Sequence, residues 1–222
     1  MAPILAETRA ESVKPRLRGW LHAGALPVAL VAGFVLVTLG PTVEARVAAA
    51  IYAITSGLLF GISATYHRGT LSPRLEEVLR RLDHANIYLI IAGTYTPFAL
   101  LALDGAASAV VLGVIWTGAI AGVLFRVLWI GAPRWLSTAL YIGLGWTAVF
   151  VLPQLVAGAG VAAVALLFLG GVLYTAGGVV YGMRRPDPSP RWFGFHEVFH
   201  AFTVAAYLAQ YVAVSLVVHA AV

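Results

Sequence analysis

Residues 191–220 read RWFGFHEVFHAFTVAAYLAQYVAVSLVVHA. Within them His196-Glu197-x-x-His200 forms the H-E-x-x-H string, which in zinc peptidases sets two histidines on one helix face with the glutamate as general base. The residues after the string decide the fold. From Ala201 to Val218 no side chain carries a formal charge, and a helix needs about 20 mostly apolar residues to cross about 30 Å of hydrocarbon. The stretch predicts a membrane-spanning helix over 195–218, with both histidines at its edge.

The rest of the chain repeats that pattern. Apolar segments at about 19–40, 47–67, 84–103, 107–129, 135–154 and 158–182 precede it, separated by breaks such as GPTVEAR and MRRPDPSPRWFG. The weakest break lies between the fifth and sixth segments, at Pro153-Gln154 and Gly158-Ala159-Gly160. The 222 residues are 61% hydrophobic and 10% charged, with a mean hydropathy of +0.91. A soluble domain carries about 25% charged residues, so this chain is expected to dissolve only in lipid. The reading is an all-α, polytopic membrane protein of seven transmembrane helices. Residues 1–18 are expected to form a short polar N-terminal arm, and 19–222 the transmembrane domain, with the first span acting as an uncleaved signal.

Lys and Arg are retained in short cytoplasmic loops. Of the 14 basic residues, all but Arg46 fall on the side that holds the N-terminal arm and the second, fourth and sixth loops. That predicts a cytoplasmic N-terminus and an extracytoplasmic C-terminus in the cell membrane. The net charge of +5 is thereby explained by topology, with no nucleic-acid partner. The expected partner is the lipid bilayer. Nothing in the sequence specifies an oligomeric state. In the second loop, Ser72-Pro73 reads as an N-cap followed by proline at the first helical position. Leu75, Val78, Leu79 and Leu82 then mark an amphipathic helix leading into the third span. Gly57/Gly61, Gly118/Gly122 and Gly178/Gly182 are small-residue pairs at the spacing that lets helices approach.

On this topology the histidines converge. His67 ends the second span, Asp83 and His84 begin the third, and His196 and His200 begin the seventh, all at the cytoplasmic edge. Ser63 stands one turn deeper than His67 on the same helix face. Ionisable residues at membrane depth are costly and usually functional. The chain has no cysteine, so any metal must be held by His, Asp or Glu. His196 and His200, one turn apart, can grip one ion. A third histidine gives the three-ligand zinc arrangement that leaves a position open for water, and a nearby carboxylate can take its proton. The bland readings are interfacial histidines, and an Asp83 that pairs with Arg80 or a helix N-terminus. His84 points about 100° from Asp83 on a helix and reads as a supporting or interfacial group. His22 has no spaced partner and reads as structural; His219 lies at the outer end.

Ser63-x-x-x-His67, RRLDHANIYLIIAGTYTPF (80–98) and GFHEVFHAF (194–202) together strongly resemble the hemolysin III family, the bacterial branch of the progestin and adipoQ receptors. The superfamily also includes alkaline ceramidases. The resemblance implies a seven-helix fold with its N-terminus inside. It implies zinc held by His67, His196 and His200, with Asp83 and Ser63 as catalytic residues. It also implies a zinc-dependent hydrolase of a lipid amide or acyl lipid, active in membrane homeostasis. Glu197 belongs to the bacterial form of the last motif; it could reach a zinc-bound water as in zincins or equally face the loops and pair with Arg191, and is expected to be a supporting or interfacial residue. The alternatives are a receptor or sensor with structural zinc, a cytolysin or pore, and an intramembrane metalloprotease.

Overall fold

The computed structural model describes residues 14–129 and 131–221. The first 13 residues of the expected arm, with Arg9, and the terminal Val222 lie outside them. Seven α-helices follow one another: α1 (Trp20–Leu39), α2 (Val43–Arg68), α3 (Pro73–Ala102), α4 (Gly105–Leu128), α5 (Arg134–Gly145), α6 (Leu152–Met183) and α7 (Phe195–Ala220). A 3-10 helix over Trp146–Val151 joins α5 to α6. The described residues contain no β-strand beyond a single bridge, Ser189 to Phe193. The protein is all-α, and among the described residues six stretches are long and apolar enough to cross a membrane.

The fifth of those stretches runs from Arg134 to Met183, 50 residues, and would measure about 75 Å if straight. It does not run straight. Trp146 Nε1 donates to Thr175 Oγ1 at 3.0 Å, Gly178 lies against Tyr141, and Gly182 lies against Thr138. Partner numbers rise in one limb as they fall in the other, so α5 and the second half of α6 are antiparallel.

The reversal falls at Gly160, inside the break marked in the sequence at Gly158-Ala159-Gly160, but the fifth span is not one regular helix over 135–154. Regular helix ends at Gly145, and Gly160 adds a non-helical kink at φ 79°, ψ 160°. A side chain from another helix braces the change at Gly145. The Tyr95 hydroxyl donates to the Gly145 carbonyl at 2.7 Å and accepts from the Ala148 N–H at 2.6 Å. In lipid, backbone groups freed by a helix break must find partners inside the protein, and Tyr95 supplies two.

Elsewhere the local signals act as read. Ser72 Oγ accepts from Leu75 N, with Pro73 in the first turn, and Thr42 Oγ1 caps α2 through Ala45 N at 3.1 Å. The amphipathic segment 73–82 is not a separate helix, because α3 continues through it to Ala102. Helix α3 forms the core, burying Tyr88, Ile90, Tyr95 and Phe98, while Val31, Phe34 and Leu128 face outward from the rim. Among the three glycine pairs read from the sequence, close approach is tightest at Gly122, where a Cβ would stand 2.2 Å from the Tyr88 ring, whereas Gly57 and Gly61 make ordinary contact with α1. Short connections alternate the helix directions, so the starts of α1, α3, α5 and α7 share one end of the bundle with the ends of α2, α4 and α6. The functional side chains gather at that end.

Candidate metal centre

His67 occupies the last turn of α2, and His196 and His200 lie in the first two turns of α7. One ring nitrogen from each lies within 4.8 Å of the others; His67 and His200 are buried and His196 is partly so. His196 Nε2 stands 3.1 Å from His67 Nε2. Two bare imidazole nitrogens repel at that separation unless one carries a proton or both face a cation. On a tetrahedral zinc with N–Zn bonds of 2.0–2.1 Å, two such nitrogens come about 3.3 Å apart. Three imidazole nitrogens without a thiolate, one pair of them near that spacing, form a donor set able to hold a metal ion such as zinc.

The trio is held from several sides. The His22 ring stacks on His200, with centroids 3.7 Å apart and planes 3° from parallel. His22 is only 2% exposed, and neither of its ring nitrogens has a hydrogen-bond partner. Sequence spacing gave it no role; only the packing of α1 on α7 reveals one. At Gly19 the backbone enters α1 with φ 80°, and a Cβ there would lie 2.6 Å from His67 Cβ. The left-handed turn and the space beside His67 both require glycine.

Asp83 Oδ2 lies 3.7 Å from His67 Nε2, too far for a hydrogen bond but close to the trio. Ser63 Oγ is buried beside the Asp83 carboxylate, within reach of a hydrogen bond to it, and shares a cavity wall with Asp83, His196 and His200. His84 turns away to another task. Its Nδ1 meets the Arg80 carbonyl at 2.7 Å, so Nδ1 carries the proton. Its Nε2 then accepts from the Tyr181 hydroxyl at 3.1 Å.

Glu197 departs from the zincin pattern. It is 1% exposed, but its carboxylate points away from the histidines. Oε1 pairs with the Arg18 guanidinium, and Oε2 accepts from the Gly194 N–H at 2.8 Å. It thus faces the loops, with Arg18 as its partner in place of Arg191. Arg191 instead offers its backbone carbonyl to Arg16 N at 3.0 Å, as Trp192 does to Leu17 N at 3.1 Å. Glu197 caps α7 and fastens residues 16–18 across it. His219 bonds only the Ser215 carbonyl of its own helix, far along α7 from the trio.

Inward from the histidines runs a cavity of about 100 Å³, walled mainly by apolar side chains such as Ile87, Ile91, Leu167 and Phe168, and reaching Gln210. Outward lies a wider, polar vestibule of about 850 Å³. His84, Tyr181 and His196 line both.

These features define a multi-pass helical membrane protein with a buried three-histidine cluster able to hold a metal ion, set between an apolar cavity and a polar vestibule. The family model described as "Haemolysin-III related" matches residues 11–211, and the chain belongs to that family. It is 31% identical over 156 residues to the "Hemolysin-3 homolog" of Bacillus subtilis (strain 168), covering 70% of each chain. To the "Hemolysin-3" of Bacillus cereus it is 32% identical over 163 residues, covering 73% of this chain and 71% of that one.

Proposed function

We propose that this protein is an integral membrane zinc hydrolase that cleaves a lipid amide or related acyl lipid and acts in membrane homeostasis. The observation that carries the reading is the histidine trio at the mouth of an apolar cavity. His67, His196 and His200 would hold the ion. Bound zinc supplies Lewis-acid chemistry, lowering the pKa of water and polarising a carbonyl. Asp83 is placed to take a proton from the attacking water and return it to the leaving group. The Ser63 hydroxyl, beside Asp83, orients the water or the substrate carbonyl. The apolar cavity takes an acyl chain and excludes bulk water from the reacting bond.

In this reading the chain crosses the membrane seven times, because the antiparallel pairing of α5 with α6 divides the 50-residue stretch into two passes. The basic residues gathered at the trio's end set that end in the cytoplasm. Reporter fusions after Arg185 and after Val222 should report opposite sides; the same side for both would end the seven-span topology.

The test of the site is the metal content of the purified protein and its turnover of acyl-amide lipids in micelles. About one zinc per chain is expected, and His67→Ala should lose it. Full retention in His67→Ala would reduce the site to the α7 pair and revive a peptidase-like reading. A second reading, a receptor or sensor with structural zinc, is favoured by the 3.7 Å approach of Asp83 to His67, which would let Asp83 close the coordination. Asp83→Asn separates the two: a closed structural site loses its zinc, while a hydrolytic site keeps the zinc and loses turnover.

A further inference from the structure

We infer that the polar vestibule binds a phosphate-bearing lipid headgroup through Arg126, so that the substrate of the proposed hydrolase is an anionic phospholipid-type molecule and not a neutral one. The inference rests on the hydrolase reading for the word substrate, but the binding itself does not require turnover.

Six cationic side chains line the vestibule (Lys14, Arg18, Arg80, Arg126, Arg134 and Arg191) against the carboxylates of Glu76 and Asp187. Both kinds of charge have prior engagements. Arg18 is neutralised by Glu197, and Asp187 accepts from the Phe195 N–H at 2.9 Å. Loop cations of this kind are ordinary at a cytoplasmic membrane edge, and by themselves they would specify nothing. Arg126 differs from them. It lies in the last turn of α4 and is only 7% exposed. Its Nη1 donates to Ser137 Oγ at 2.9 Å, while its Nε is buried with no partner. Among the described residues no carboxylate pairs with it.

A guanidinium buried without a counter-charge is strongly disfavoured, because desolvation is not repaid by attraction. The arrangement becomes favourable once an anion enters. A phosphate presents oxygens to the guanidinium fork in two parallel, charge-assisted hydrogen bonds. Arg134, whose guanidinium lies 5.4 Å over the Tyr181 ring, adds a second cation at the opening. Tyr181 also forms part of the cavity wall, so a head held beside Arg126 has a direct path for its chains past the histidines into the apolar space. An inorganic phosphate would meet the same donors. Only a lipid would use both compartments.

The test is binding to the purified full-length chain in zwitterionic nanodiscs, read by thermal stability. The probes are dioctanoyl phosphatidic acid, dioctanoylglycerol with the same tails, and inorganic phosphate. The phosphatidic acid should bind at least about tenfold more tightly than either control, and Arg126→Gln should erase about that factor. Arg134→Gln, at an exposed position, should weaken it severalfold and serves if Arg126→Gln fails to fold. The His200→Ala protein should still bind the phosphatidic acid, so that absence of hydrolysis and absence of headgroup recognition are read separately. Equal binding of dioctanoylglycerol, or an unchanged affinity in both arginine variants, would overturn the proposal. Inorganic phosphate binding as tightly as the lipid would assign the vestibule to a free anion and overturn the lipid assignment.

Discussion

The two ends of the bundle use polar residues in opposite ways. At the end where α1 and α7 begin, His22, His67, His196 and His200 turn toward one another from three helices. At the far end, His219 bonds the carbonyl of its own helix, and Arg46 Nε bonds the Gly40 carbonyl at 2.8 Å to close the turn before α2. These two polar groups at the far end satisfy their own neighbourhood. At the near end several are left unsatisfied and aimed inward, which is costly at membrane depth unless something occupies the space. The distinction between a functional and a structural polar residue is therefore one of direction, not of type.

That contrast can be broken at graded sites. The largest effect belongs to the trio: His67→Ala, His196→Ala and His200→Ala should each lower zinc affinity by more than about a hundredfold, seen as metal lost on dialysis. Next is the division of labour between the carboxylates. Asp83→Asn should keep the zinc and lower turnover by about 10²–10⁴. Glu197→Gln should change turnover by no more than a few-fold yet destabilise the fold by about 1–3 kcal/mol through the loss of a buried charged hydrogen-bond acceptor. An inactive Glu197→Gln beside an active Asp83→Asn would reverse the assignment.

Smaller effects belong to the residues packed behind the trio. Gly19→Ala should cost about 1–3 kcal/mol in stability through backbone strain and loosen zinc by crowding His67. His22→Ala should weaken zinc by about tenfold, whereas His22→Phe, which preserves a stacked ring, should recover most of it. If both variants hold zinc equally, the stacking does not position His200. The smallest belongs to the far end: His219→Ala should alter stability by less than about 0.5 kcal/mol and leave zinc untouched.

Periodicity and charge made the helices legible, because in lipid the apolar length of each segment is nearly the whole signal. The trio was legible as well, since His196 and His200 share a helix face and His67 ends a helix of the right sense. Three features were not. His22 needs the packing of α1 against α7, which spacing within one helix does not carry. The Glu197 partner needed the strand-like pairing of residues 16–17 with 191–192, which brings Arg18 over α7. The early end of α5 at Gly145 depended on a tyrosine 50 residues away in the chain. Each is a contact between distant segments, invisible to local pattern.

The Tyr95 bridge also imposes an order on biogenesis. A helix break braced by a hydroxyl from another helix is weaker in lipid by itself, so α5 and α6 settle fully only against α3. Tyr95 lies about 18 Å along α3 from Asp83 and is translated before Gly145 and Ala148, so its hydroxyl is waiting when the break leaves the ribosome. Tyr95→Phe should then leave α1 to α4 inserted and protease-resistant while the segment after Gly145 becomes susceptible. Uniform protection of all segments in that variant would show that the break closes without its borrowed hydroxyl.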